Sequence, residues 1–214
     1  AAKIIAMYER SGYFDDRPPC GNYNSYGCLS LDYIMRAARL LPENDHVRQR
    51  IIEASKPHVL RYVELIRHFL GLHGEGWQPG RSAGVLGQVQ PLTILEQALS
   101  LGYLDDASAV WARGASVRLL DFLCKVFWCD DDKWFLFRDK NRSCYGYRNS
   151  LPMAWDLLRY VLQLEHYAQE DETSGGGYGE TDIQNSPYSR EIVLDEEKKC
   201  SWYVWSDGVD RITL

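Results

Sequence analysis

Apolar residues recur at helical spacing along most of the chain and at a spacing of two near its end. Ala1–Arg10 carries Ile4, Ile5 and Tyr8 on one side and reads as a short amphipathic helix, the end of one already under way. In Cys28–Leu41 the positions Leu31, Ile34, Met35, Ala38 and Leu41 form a single stripe, and Leu41-Pro42 stops it because a residue before proline avoids the α region. Asn44 or Asp45 then caps a long helix to about Leu70, through which Val47, Ile51, Ala54, Val59, Tyr62, Ile66 and Phe69 keep roughly helical spacing. Pro57 predicts a kink or a break after Ser55, and Gly71 and Gly74 end the run. Pro91–Leu101 and Asp105–Phe127 form the next helical pair, separated by Gly102-Tyr103. The second has Val110, Val117, Leu120, Leu123 and Phe127 as its predicted core stripe. Leu151–Ala168 is the last predicted helix, with Pro152 in its first turn.

Gln169–Pro187 changes the pattern: it is polar, holds Gly175–Gly177, and reads as a flexible linker. Beyond it Glu191–Leu194, Ser201–Trp205 and Val209–Leu214 alternate as strands, with turns at Asp195–Glu197 and Ser206–Gly208. Lys133–Phe137 alternates in the same way and predicts a short strand within a loop. The expected division is a helical-hairpin domain over 1–168, a Gly-rich linker over 169–188 and a short antiparallel β segment over 189–214. Three short strands make a poor core alone, so they pack on the helices or begin a sheet that continues past Leu214.

Three stretches between helices are too long and too aromatic for plain connections: Ser11–Gly27, Gly74–Gly87 and Asp130–Ser150. From Phe14 to Trp77 is about 63 residues and from Trp77 to Trp134 about 57, a period with two helices per unit. That spacing suits antiparallel helical hairpins in an incomplete α/α toroid with all three loops on one face; an irregular bundle is the simpler alternative. The predicted fold class is therefore mainly α, with a short C-terminal β segment.

Hydrophobic residues are 45% of the chain and aromatics 13%, enough for a substantial core. The net charge of −6 disfavours a nucleic-acid partner, and no run is long enough to span a membrane. The six cysteines show neither a CxxC pair nor zinc-like spacing to histidine, and Cys124 and Cys129 are expected as buried free thiols. No phosphate loop, nucleophile elbow or HExxH motif occurs, so no metal or cofactor is expected. His46, His58, His68 and His166 fall within predicted helices as surface or structural residues, and His73 falls on the loop face.

The run Asn22-Tyr23-Asn24-Ser25-Tyr26-Gly27 is polar, aromatic and placed just before a helix. A tyrosine flanked by amides can move a proton at a sugar carbon while the amide dipoles steady enolate-like charge. The same residues equally suit a turn whose asparagines cap the helix. Arg81 in Gly80-Arg81-Ser82 stands where another helix opens and could bind a carboxylate or sulfate, or simply be solvated beside a cap. Trp77 and Trp134 suit stacking on a pyranose, or plugging a hydrophobic gap. Tyr23, Arg142 and Tyr147 join them as candidate sugar contacts, Arg142 within Arg138–Arg148, the one local basic concentration. Asp15-Asp16 supplies acids for glycoside hydrolysis only with a partner from elsewhere, such as Glu75 or Asp130, since adjacent acids point apart.

Taken in order, an aromatic–acid loop, NYNSYG at one helix start and GRS at another resembles the α/α-toroid polysaccharide lyases. The chondroitin and hyaluronate lyases and the heparinase-like group are the nearest of these. With Tyr147, Asn149 and Ser150 ahead of a further helix, the order also resembles an uncharacterised microbial family of related toroids ending in a β-sandwich. The resemblance covers about residues 10–165 through short motifs. It implies β-elimination on a uronic-acid polysaccharide. Tyr26 would be the catalytic tyrosine, Asn22 or Asn24 would help neutralise the carboxylate, and Arg81 would bind substrate with Trp77. Those lyases also carry a histidine upstream of the tyrosine; Gly12–Tyr26 contains none, and Arg17 lies near that place. Two other functions stay open: hydrolysis by Asp15 or Asp16 with a second acid, and a non-catalytic scaffold whose aromatic loops bind a glycan or protein.

Overall fold

In the computed structural model the described residues are 3, 5, 6, 8, 24–71, 73–76, 85–129, 134–135, 187–195, 200–207 and 211–213. They are mainly helical and finish in an antiparallel sheet. Lys3, Ile5, Ala6 and Tyr8 are helical, and helices α1 (Asn24–Arg39), α2 (His46–Phe69), α3 (Val85–Ser100) and α4 (Asp106–Phe127) follow. A minimal pair, β1 (Trp128–Cys129) with β2 (Trp134–Phe135), follows α4. The C-terminal sheet has the order β3 (Tyr188–Asp195), β4 (Cys200–Ser206), β5 (Arg211–Thr213). The predicted helix Leu151–Ala168 and most of the predicted linker lie outside the described residues.

α1 starts four residues before the predicted Cys28. Asn24 and Ser25 read as loop because their side chains compete with the backbone in a helix interior, but that competition is harmless in a first turn. α2 is capped by Asp45, whose carboxylate accepts from Val47 N at 2.7 Å and Arg48 N at 3.2 Å. Of the kink or break expected at Pro57, the break does not occur: the helix runs on through it to Phe69. Proline inside a helix costs about 3 kcal/mol. Burial of Val59, Tyr62, Val63, Leu65, Ile66 and Phe69 beyond it offsets that cost, at about 1.5–3 kcal/mol for each large apolar side chain.

α3 begins six residues before the predicted Pro91, which lies in its interior. It packs on α1, α2 and α4, so every residue from Gly87 to Ala98 is buried whatever its polarity. Helical periodicity is a weak signal for such a helix because it has no solvent face. α3 stops at a Schellman motif, with Tyr103 N bonded to Ala98 O at 3.0 Å and Gly102 N to Leu99 O at 3.1 Å. Gly102 supplies the left-handed turn at φ 61.

The core face of α4 differs from the predicted one. Trp111, Ala112, Ala115, Ser116, Leu119 and Leu123 are buried, whereas Val110, Val117, Leu120 and Phe127 are only partly covered. Counting large aliphatics misplaced the stripe, because small Ala112 and Ala115 form the side that meets the core. Cys124, expected buried, is an exposed free thiol, and Cys28 is a buried one.

The C-terminal strands match the predicted alternation, with Ile192 and Val204 in the common core and Glu191, Val193, Tyr203 and Trp205 facing out. The sheet sits on the last turns of α2. Trp202 meets Phe69 edge-on at 4.5 Å, and Arg190 Nη1 lies 3.1 Å from His68 Nε2 and 3.7 Å from Glu64 Oε1.

Candidate functional site

The sequence points to the loop end of the helices, and two anchors there are described. At the start of α1, the Tyr8 hydroxyl donates to the Gly27 carbonyl at 2.6 Å. The Tyr8 ring lies 5.2 Å from His58 and edge-on to Tyr62 at 6.3 Å. Burial, followed by the neighbouring Cys28, pushes the Tyr8 hydroxyl well above the ordinary tyrosine range. Tyr8 therefore remains a neutral donor and fixes the height of α1's first turn; it is not an acid–base group.

The second anchor is the turn after α2. Gly71 N donates to Glu75 O at 2.7 Å, Gly74 N to Gly71 O at 3.1 Å, and His73 N to the Glu75 carboxylate at 3.0 Å. Gly76 N then donates to Gln88 Oε1 at 3.0 Å, tying the turn to the first part of α3. A Cβ on Gly76 would collide with the Gly87 carbonyl oxygen, and would crowd Gln88 and Leu119 at 3.0 Å. Pro91 has no N–H to bond that Gly87 carbonyl, and so the carbonyl faces the turn instead. Glu75 is folded back on its own turn, where its carboxylate serves the local backbone. His73 is exposed, as expected of a loop residue.

Between the anchors a polar network joins α1 to α3. Gln97 Nε2 donates to Asp32 Oδ1 at 2.7 Å, and Arg36 pairs with Asp32 Oδ2 at 2.6 Å. Arg39 reaches Gln97 Oε1 and Ser100 Oγ, each at 3.2 Å, with Glu96 at 3.8 Å. Asp32 meets Gln97 and Arg39 meets Ser100, so both helices advance together and run parallel. Their N-termini consequently open at the same end.

Of the sequence-predicted residues, Asn24 and Tyr26 fall in the first turn of α1, and Trp134 pairs in β2 with Cys129. Asn22, Tyr23, Asp15, Asp16, Trp77, Arg81, Arg142 and Tyr147 lie outside the described residues, as does Asp130. The sequence reading missed the buried polar residues of α3, namely Gln88, Gln90, Thr93, Glu96 and Gln97. Their signal is polar residues set within an apolar run, with Gln90 and Gln97 two turns apart on one face. Among the described residues, no group of three or more His, Cys, Asp or Glu could hold a metal, and no helix is long and apolar enough to cross a membrane.

Compared with known protein families, curated proteins and solved structures, the chain finds no match.

Proposed function

We propose that this chain is a carbohydrate-active α/α-toroid domain that cleaves uronic-acid-containing polysaccharide by β-elimination. Tyr26 exchanges the proton at the sugar carbon next to the carboxylate. Asn22 and Asn24 hold that carboxylate, and Arg81 and Trp77 bind the neighbouring sugar. The observation that carries the reading is the start of α1 at Asn24, which puts Asn24 and Tyr26 in a first helical turn. First-turn amides lack intrahelical acceptors and attract negative charge, the charge that develops on a uronate when its α-proton leaves. No acidic side chain stands in that turn to cancel the effect.

The test is direct. Elimination leaves a conjugated double bond, so incubation with chondroitin, hyaluronan or heparan sulfate should raise ultraviolet absorbance as the chains shorten. Reducing ends without absorbance would indicate a hydrolase. Neither signal from any uronate polymer would overturn the assignment.

A further inference from the structure

The Nε2 atom of His68 stands between two partners that require opposite things of it. Arg190 Nη1, on β3, lies 3.1 Å away, and Glu64 Oε1, one turn back on α2, lies 3.3 Å away. A guanidinium only donates, so Arg190 needs a bare Nε2 with its lone pair. A carboxylate only accepts, so Glu64 needs Nε2 to carry a proton. One nitrogen cannot serve both at once. Arg190 Nη1 and Glu64 Oε1 are themselves 3.7 Å apart, so both stay beside the ring whichever of them Nε2 serves.

The two partners belong to different parts of the fold. Glu64 shares α2 with His68, whereas Arg190 belongs to the sheet seated on the last turns of that helix. The bond to Arg190 therefore crosses the junction, and the bond to Glu64 does not. The His68 side chain is 5% exposed, against 53% for Glu64 and 56% for Arg190, so water has little access to the ring. From α2, Arg67 also faces the trio, 3.7 Å from Glu64 Oε2 and stacked on Trp111 of α4. Asp105, just ahead of α4, acts in turn on Arg67, and β4 brings the uncharged Trp202 onto Phe69.

We propose that His68 is a pH-operated clasp for the C-terminal sheet: its neutral ring accepts from Arg190 and grips β3, and its protonated ring donates to Glu64 and loosens β3. The proton comes from solvent and occupies the Nε2 lone pair that Arg190 had used. It also sets a positive ring beside the guanidinium. The docked sheet and the proton compete for one lone pair, so docking tightens as pH rises. Histidine changes charge between about pH 5 and 8, above the range in which glutamate titrates. Ile192 and Val204 in the common core, with Trp202 on Phe69, hold the sheet in either state, so the response is a loosening rather than unfolding. The clasp is independent of the uronate reading.

Two measurements on the full chain between about pH 8 and about pH 5 test this. Nitrogen NMR follows which His68 nitrogens carry protons, and amide exchange, corrected for the intrinsic rate at each pH, follows protection of β3 and β4. The neutral ring should carry its proton on Nδ1. Protection of both strands should fall about three- to tenfold as Nε2 takes up a proton. His68→Gln offers Arg190 an acceptor that does not titrate, and should hold protection constant across the range. Arg190→Met, at an exposed position, should abolish the response while His68 still titrates, and decides the matter if the glutamine variant fails to fold. A neutral ring protonated on Nε2, or constant protection in the wild type, would overturn the clasp. So would a pH response that survives in Arg190→Met.

Discussion

Asp32 and Gln97 meet across α1 and α3 through a 2.7 Å hydrogen bond, with the Asp32 side chain fully buried. Arg36 balances the carboxylate, and Arg39 takes the other end of the Gln97 amide. This pair sets the register of two parallel helices, and with it the level at which their first turns open. Asp32→Ala should remove the acceptor and strand both Gln97 Nε2 and the half-covered Arg36, costing about 2–4 kcal/mol in denaturant unfolding. Asp32→Asn keeps an acceptor and should cost less. Equal losses in the two variants would show that charge, not the hydrogen bond, is what matters.

Gly76 and Gly102 should respond to alanine for different reasons. At Gly102 a Cβ meets nothing within 4 Å, and the positive φ of 61 alone is strained. Gly102→Ala should therefore cost about 1 kcal/mol. Gly76→Ala drives a methyl into the Gly87 carbonyl and the Gln88 side chain, forcing the turn off α3. Its cost should be clearly larger, and amide exchange at residues 71–76 should quicken. If Gly102→Ala proves the more damaging, the turn yields where the geometry says it is locked.

The Glu64 carboxylate links acid stability to the docking of the sheet. A hydrogen bond with His68 lowers its pKa from the ordinary 4.5, with help from Arg67 and Arg190, against a partial burial that opposes them. A carboxyl depressed on folding contributes stability above its unfolded pKa, and that stability disappears as pH falls through the folded value. The contribution should be complete above about pH 5 and drain away below the ordinary glutamate value of 4.5. Tryptophan fluorescence of Trp202, seated on Phe69, should report it. Glu64→Gln should flatten that acid limb, and an unchanged limb would remove Glu64 from the account.

The helices facing solvent on one side were legible from the sequence because their apolar residues repeat at helical spacing. α1 matches its predicted stripe at Leu31, Ile34, Met35 and Ala38 and α2 at Val59, Tyr62, Ile66 and Phe69, all buried, whereas Leu41, Ile51 and Ala54 are only partly covered and Val47 is exposed. The strands were legible for the same reason at a spacing of two. α3 was read short because a helix enclosed on all sides shows no stripe, and Pro91 in its interior looks like a beginning. The deep face of α4 was hidden by its alanines, which carry little hydrophobic weight but permit close packing. For the candidate site the sequence offers motifs, NYNSYG above all, of which Asn24–Gly27 fall among the described residues as the start of α1. The buried polar residues of α3 were not legible, since nothing in the type of Gln90 or Gln97 says which one the fold pairs with Asp32.

The sharpest expectation concerns the Tyr26 hydroxyl. Tyr26→Phe removes one oxygen from the first turn of α1 and should leave the fold nearly unchanged, since Tyr8 and Gly27 hold that turn independently. If Tyr26 exchanges the substrate proton, turnover should fall by about a hundred- to ten-thousand-fold while sugar affinity changes little. Tyr203→Phe, on the exposed face of β4, is the matching control and should keep wild-type turnover. Loss of affinity together with turnover would make Tyr26 a binding residue, because an interaction made only in the transition state leaves ground-state binding intact. Full turnover in Tyr26→Phe would exclude it as the proton-transfer group. The elimination chemistry would then have to be carried by another residue.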